Sequence, residues 1–320
     1  ENTDVLNALT DAYLWKTDFN QALLKADKGL LLQPSSTEFK LKKAQALSGL
    51  NKNKEALSIL RELQKTDSGE NLINLIKETE LKSRKNTIGS SYDIDFFNKT
   101  YKEPWHLLSL WYQRKNEKLT YLGRVNFANR FNKSGLQYEL DLYPKISRRF
   151  YAYLNGGFST DSIFPSWRYG TSIYCVLPAK FELEIGLREL YFNEPIMLIT
   201  SSLSKYWENY WFSFRPYINP EKSKFSQAYL LTIRRYFKAS DSYINLILSS
   251  GISPDERSRN YLLAGAKIQS HRAFIEVYKS LRSFFIITAK VGYARDEIIL
   301  GTESILRNNI SVGVGLQKKF

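Results

Sequence analysis

The chain of 320 residues is basic, with 46 Lys and Arg against 32 Asp and Glu, and it is rich in aromatic residues, with 21 Tyr, 19 Phe and 6 Trp. Its one cysteine, Cys175, excludes an intramolecular disulfide framework and a cysteine-based zinc site. No run of about 18 apolar residues occurs, so the sequence predicts no membrane-spanning helix. Most of the positive charge lies in residues 86–320, interleaved with apolar residues, and this argues against nucleic acid as a partner.

Residues 1–85 are predicted to be helical, with a repeat of about 34 residues in which the segment 17–22 aligns with 51–56. Leu-rich runs follow both segments. The pattern resembles the tetratricopeptide repeat (TPR), in which small residues let paired helices pack closely. The predicted packing and helix-ending residues are Ala22, Pro34, Ala44 and Ala56.

A further helix over about 70–84 is expected to cap the two repeats, because its apolar residues fall on one face. The basic segment 82–86, where the helical period ends, is interpreted as a linker. Two roles remain open for these helices. They either brace the remainder of the protein or present a concave surface to a protein partner.

From residue 87 onwards, segments of roughly ten residues alternate apolar and polar side chains and are separated by turn signals. This pattern predicts about fourteen antiparallel strands, with twelve as the second choice. The stretch 259–270 is interpreted either as an extension of a strand or as an external loop. An even number of strands places both ends of the strand-rich part on one side.

The period-two alternation alone does not distinguish a soluble sandwich from a membrane barrel, because the strands of both have one apolar face. Hairpin order over the whole of 86–320, without an intervening helix, favours the barrel. A predicted outward girdle of aromatic side chains at strand ends favours it too, formed by Trp105, Trp111, Tyr112, Trp207, Tyr210 and Trp211. The prediction is therefore an all-β transmembrane antiparallel barrel with a small helical domain before it.

The last stretch, 307–320, alternates strictly and ends on an aromatic residue, Phe320. It resembles the closing strand of a bacterial outer-membrane β-barrel. The resemblance implies that Phe320 is the signal read by the barrel-assembly machinery, which would be a partner. No secretory leader precedes Glu1, so a removed signal peptide is expected.

Several short motifs together resemble the YaiO-type outer-membrane β-barrel family over residues 86–320. They are L-Y-P at 142–144, F-P-S-W-R-Y-G at 164–170, Y-W-E-N-Y-W at 206–211, R-R-Y at 234–236 and G-V-G-L at 313–316 before Phe320. The resemblance implies an outer-membrane barrel over 86–320, and we place the helical domain, 1–85, in the periplasm. A periplasmic repeat segment before a barrel is similar to the exporters of poly-N-acetylglucosamine and cellulose.

The two histidines, His106 and His271, are the candidate imidazole bases for a catalytic site. Ser109 and Ser270 are the nearest serines, and strand alternation places each on the face opposite its histidine, so a hydrolase is not expected. No glycine-rich phosphate loop and no metal-ligand spacing occurs. The sequence therefore predicts no enzyme, no cofactor and no metal.

The inferred inward faces carry charges of both signs, and these residues are the candidate polar lining of the lumen. They are Arg124, Arg130, Glu139, Asp141, Glu182, Glu184, Arg188 and Lys290. One interpretation is a charged path for a polar or anionic saccharide. The other is that these side chains pair with one another and fill a narrow barrel.

We predict from the sequence an outer-membrane barrel that assists export or surface anchoring of a polysaccharide or glycoconjugate. One alternative is a scaffold that docks a periplasmic or outer-membrane protein through residues 1–85. A second is an enzyme that modifies lipid A or a surface glycan. The expected surroundings are outer-membrane lipid and lipopolysaccharide, and no nucleic acid.

Overall fold

A computed structural model describes residues 2–220, 226–237, 241–251, 270–281, 284–300 and 303–320. The chain divides into two compact units, one formed by Glu1–Lys85 with Lys319–Phe320 and the other by Asn86–Lys318. Within the described ranges, the helices are all too short or too polar to cross a bilayer.

The first unit consists of five helices in the described residues: α1 (Thr3–Trp15), α2 (Phe19–Leu32), α3 (Thr37–Gly49), α4 (Asn53–Leu63) and α5 (Glu70–Ser83). Side-chain oxygens of Asn2, Asp18 and Ser36 accept hydrogen bonds from backbone N–H groups at the starts of α1, α2 and α3. Thr17 and Asn51 occupy equivalent turns and both adopt a left-handed conformation, with φ of 56° and 61°. This equivalence agrees with the internal repeat.

Small buried residues lie where the helices pack. Ala22, Ala44 and Ala56 are fully buried. Thr10 stands at the position equivalent to Ala44 and is also fully buried, because its hydroxyl donates to the Leu6 carbonyl at 2.7 Å. Pro34 follows the end of α2. The assignment of residues 1–85 to the tetratricopeptide class remains a prediction.

A buried lysine joins α1 to α3. The Lys42 ammonium lies 2.8 Å from an Asp11 carboxylate oxygen and 3.2 Å from one of Glu38. The Asn7 amide donates to Glu38 at 2.5 Å. This hydrogen bond, together with the one from Lys42, lowers the pKa of the Glu38 carboxyl. The contact fixes α3 against α1 through charge as well as apolar packing.

In the described residues the second unit is a closed barrel of fourteen strands, which confirms the predicted fold and strand count over the twelve-strand alternative. Each strand pairs with the next in the chain, and β1 lies beside β14. The strands are β1 (Asn86–Phe97), β2 (Trp105–Lys115), β3 (Leu119–Arg130), β4 (Lys133–Pro144), β5 (Phe150–Phe158), β6 (Trp167–Val176), β7 (Phe181–Tyr191), β8 (Pro195–Trp207), β9 (Tyr210–Asn219), β10 (Ser226–Tyr236), β11 (Tyr243–Ser250), β12 (Ser270–Leu281), β13 (Phe285–Leu300) and β14 (Glu303–Lys319). Of the stretch 259–270, only Ser270, the first residue of β12, lies within the described residues.

The two faces of the barrel differ as the alternation predicts. On β7, Ile185 on the outer face is 61% exposed, whereas Glu184 on the inner face is 0% exposed. On β14, Val312, Val314 and Leu316 are exposed outside, whereas Ser311 is buried inside. An apolar outer face and a polar inner face are typical of a barrel in lipid.

The predicted aromatic girdle is partly wrong. Trp105, Trp111 and Trp211 lie on the inner face, because they are in phase with the buried serines of their strands, Ser109 and Ser213. Three of the predicted girdle residues lie on the outer face: Tyr112, Trp207 and Tyr210.

Candidate functional site

One part of the inner wall, on β3, β4 and β6, is filled by paired charges. Arg124 and Glu139 are direct partners across β3 and β4, and their side chains lie 2.5 Å apart. Arg124 also contacts Asp141 at 3.1 Å, and Arg168 of β6 contacts Glu139 at 3.2 Å. These buried charged groups therefore pair with one another across the inner wall.

A second cluster is centred on Glu184 of β7. Its carboxylate contacts Arg188 at 3.2 Å and also pairs with Arg215 of β9. It accepts hydrogen bonds from Ser172 at 2.7 Å and Ser202 at 2.8 Å. The single carboxylate therefore ties together four strands, β6 to β9.

The eight predicted lumen residues are all on the inner face, but they do not form one site. Arg124 with Glu139 and Asp141, and Arg188 with Glu184, belong to the two clusters above. Three others lie apart: Arg130 is buried over the Phe164 ring at 5.2 Å, Glu182 is half-buried, and Lys290 contacts Asp93 at 3.3 Å. Arg168, Arg215 and Asp93 are also on the inner face and were not among the predicted lumen residues, although strand phase places each inside.

The other part of the lumen contains a cavity of about 450 Å³. It is bounded by β1, β2 and the run from β10 to β14, which barrel closure brings together. Its aromatic lining is Trp111, Tyr243, Phe274 and Tyr278, and its charged lining is Asp93, Glu276 and Lys290. Gly313 leaves room on β14 for the Asp93 carboxylate, which a β-carbon at that position would meet.

The segment 159–166, between β5 and β6, folds against the inner wall at the end of the barrel opposite the start of β1. Phe164 is 2% exposed and, with Ile163, packs on Leu107 of β2 and Ala128 of β3. The Asp161 carboxylate accepts a hydrogen bond from the Leu136 backbone N–H at 2.7 Å. The segment therefore narrows this end of the lumen and is anchored to the rim of β4.

A cluster of aromatic rings and charges lies beside this segment at the same end. The Arg307 guanidinium stands 4.6 Å from the ring centre of Phe97 and 5.7 Å from that of Trp105. Asp296 contacts Arg307 at 3.3 Å and Arg272 at 2.9 Å. The cavity consequently lies nearer to the end at which β1 begins.

Replacing Asp161 by alanine is expected to increase the conductance of the barrel. The change removes the acceptor for the Leu136 N–H, and loss of this hydrogen bond weakens the anchoring of segment 159–166 by about 0.5–1.5 kcal/mol. Planar-bilayer recordings would measure the effect. Ser162→Ala, an exposed change in the same segment, is the control. Equal conductance in wild type, D161A and S162A would show that the segment does not restrict the lumen.

Neither histidine stands in a catalytic arrangement with its neighbouring serine. His106 faces outward, 2.6 Å from the Tyr92 hydroxyl, whereas Ser109 is buried inside and donates to Asn126 at 2.6 Å. His271 is exposed, and Ser270 on the opposite face donates to Asp296 at 2.5 Å. In the part of the chain that the structure describes, no three His, Cys, Asp or Glu side chains are grouped to hold a metal ion.

Comparison with solved structures returns bacterial barrels at low identity. A bacterial polysaccharide outer membrane secretin has 8% identity and a TM-score of 0.46, with 74% of this chain and 99% of that chain covered. Outer membrane protein Omp33 of Acinetobacter baumannii has 9% identity and a TM-score of 0.48, covering 74% and 98%. KdgM porin has 10% identity and a TM-score of 0.39, covering 72% and 99%. The barrel is assigned from the strand pairing and from the family match, and not from these likenesses.

Comparison with protein families gives a direct assignment. No curated protein matches the chain significantly. The model of the YaiO membrane beta barrel domain matches residues 85–256, more than half of the chain. The match includes four of the five motifs that carried the sequence resemblance and confirms it; the motif at 313–316 lies beyond the matched range. The chain therefore belongs to the YaiO membrane β-barrel domain family.

Proposed function

We propose that this outer-membrane barrel binds a saccharide in its lumen and thereby assists the export or surface anchoring of a polysaccharide or glycoconjugate. The observation that carries the proposal is the composition of the cavity wall. Four aromatic side chains face a space of about 450 Å³ that also presents Ser91, Thr232, Thr288 and Gln317. Aromatic rings offer an apolar surface to the C–H faces of sugars, and polar groups fix the orientation of a ligand.

The lumen is divided into a part filled by ion pairs and a cavity, and this division favours binding of a solute over its free diffusion. Ion pairs fill the inner wall around β3 to β9, and segment 159–166 narrows one end. A solute that passes through the remaining space must therefore contact the cavity wall. A conduit that binds its solute works only when the binding is weak enough to permit release, and stacking on a few rings meets that requirement.

The proposed orientation follows from the strand connections. Among the described connections between consecutive strands, the two longest, from β1 to β2 and from β5 to β6, lie at the end opposite the start of β1. Outer-membrane barrels have short periplasmic turns and longer external loops. We therefore place the start of β1, and with it the helical domain of residues 1–85, in the periplasm.

A second candidate function is the docking of a periplasmic or outer-membrane protein on the helices. Trp15 and Leu31 favour it, because they are 87% and 82% exposed although both are large and apolar. Cross-linking in cells from position 15 tests this candidate, and the absence of any protein adduct would contradict it. Among the described residues, no arrangement favours the enzymatic alternative.

Oligosaccharide titrations of the full chain in detergent, followed by calorimetry, test the first proposal. We expect Trp111→Ala and Tyr278→Ala each to weaken binding by about 0.5–1.5 kcal/mol, the contribution of an aromatic contact. Tyr138→Ala, which removes an aromatic ring from the outer face, should leave the affinity unchanged. Failure of neutral, cationic and anionic oligosaccharides alike to bind the wild-type protein would refute the proposal.

A further inference from the structure

Glu276 on β12 presents a carboxylate to the cavity. Its two carboxylate oxygens differ in their hydrogen bonds. The Asn245 amide donates to Oε2 at 3.0 Å, and the Tyr278 hydroxyl donates to the same oxygen at 3.5 Å. The other oxygen, Oε1, has no hydrogen-bond donor among the described residues. A carboxylate can accept about four hydrogen bonds, so Glu276 retains acceptor capacity on one side.

Two basic side chains beside Glu276 are engaged with other groups. Arg234 donates to the Asn245 amide oxygen at 2.8 Å, and its guanidinium lies 4.3 Å from the centre of the Tyr243 ring. Lys290 is the direct partner of Glu276 across β12 and β13. Its ammonium instead contacts Asp93 at 3.3 Å and lies 4.8 Å from the centre of the Phe274 ring. In the described part of the chain, Glu276 has no basic group within ion-pair distance. The cavity wall therefore carries two carboxylates and one ammonium, with the Arg234 guanidinium beside it, and no basic group of the described residues contacts the Glu276 carboxylate directly.

Aromatic rings surround this carboxylate. Phe274 and Tyr278 lie on the same face of β12, two residues on either side of Glu276. The Tyr243 ring stacks on Tyr278 with the ring centres 4.3 Å apart. The faces of aromatic rings attract cations, and a carboxylate beside them supplies the opposite charge and an acceptor for N–H groups.

We propose that the cavity selects a saccharide that carries a positively charged amine, such as a hexosamine without its N-acetyl group, and that Glu276 binds the ammonium. The inference rests on the proposed saccharide binding and names its substrate class. The rings contact the sugar, and the ammonium donates to Oε1 of Glu276. An anionic sugar is disfavoured, because Glu276 and Asp93 repel it, whereas Lys290 already contacts Asp93 and Arg234 already contacts Asn245 and Tyr243.

The test compares three tetrasaccharides of equal length in calorimetric titrations of the full chain: glucosamine, N-acetylglucosamine and galacturonate. We expect wild type to bind the glucosamine tetramer about tenfold more tightly than the acetylated one, the range of a charge-assisted hydrogen bond. Glu276→Gln should abolish this preference and retain binding of the acetylated tetramer. Glu189→Gln, which removes the same charge from the outer face of β7, should retain the preference. Added salt should reduce the preference in wild type.

The possible outcomes separate the two proposals. Equal wild-type affinities for the glucosamine and acetylated tetramers, or tighter binding of galacturonate, would overturn the amine selectivity while leaving saccharide binding intact. Retention of the preference in E276Q would overturn the role of Glu276. Absence of binding by every tetramer would overturn the proposed function itself. The wild-type comparison needs no variant, so it decides the selectivity even where E276Q does not assemble.

Discussion

Replacing Glu184 by alanine is expected to lower the free energy of unfolding of the barrel by about 3–5 kcal/mol, the usual cost of removing one partner from a buried ion pair. Glu184 is 0% exposed and pairs with both Arg188 and Arg215. Its removal leaves two guanidinium groups near the inner wall without their shared carboxylate. It also removes the acceptor for the hydroxyls of Ser172 and Ser202.

Urea unfolding of the protein in lipid vesicles, followed by tryptophan fluorescence, measures this change. Glu182→Ala is the matched control, because Glu182 lies on the same face of the same strand but is only half-buried. We expect a clearly smaller loss for E182A. Equal losses for the two variants would show that the network around Glu184 does not contribute more than an ordinary inner-wall carboxylate.

The second large effect concerns the outer face. Ile185→Arg is expected to destabilise the membrane-inserted barrel by about 2–4 kcal/mol, the cost of a cation at the bilayer midplane on a barrel strand. Ile185 is 61% exposed and lies near the middle of β7. The arginine introduced at this position would lie in the hydrocarbon of the bilayer, where its guanidinium loses its hydration.

Thr232→Arg provides the control for this prediction. Thr232 faces the cavity, in which an added arginine can remain hydrated. Folding of both variants into vesicles would be compared with wild type by the same urea titration. If I185R proved no less stable than T232R, the outer face of β7 would not be in contact with lipid.

The strands of the barrel were predictable because each is defined by residues that are close together in the sequence. Period-two alternation and turn residues define each strand and the phase of its faces. The inward position of Arg124 and Glu139 follows from that phase. Their pairing does not, because it depends on the register between β3 and β4, in which they are direct partners. The prediction of the aromatic girdle was partly wrong because it relied on closeness to a strand end. The alternation along each strand places Trp105, Trp111 and Trp211 inside.

The cavity was not predictable, because its walls are distant in sequence. Closure pairs β1 with β14, and because β2 lies on the other side of β1, Trp111 reaches the same cavity as Glu276. Nothing in the sequence around Glu276 distinguishes it from the other inward carboxylates, whereas the structure shows that its Oε1 is open. The inward position of segment 159–166 was only weakly indicated by the sequence. Ile163, Phe164 and Pro165 are apolar residues in a loop, a position at which exposure would be unfavourable.

Single-channel recording of the full chain in a planar bilayer would show whether a saccharide binds inside the barrel. We expect an ion current that glucosamine tetramers interrupt, with a frequency that rises with their concentration and falls in Glu276→Gln. We also expect D161A to raise the uninterrupted current. A barrel that conducts no ions, or whose current no saccharide of any charge interrupts, would contradict this binding.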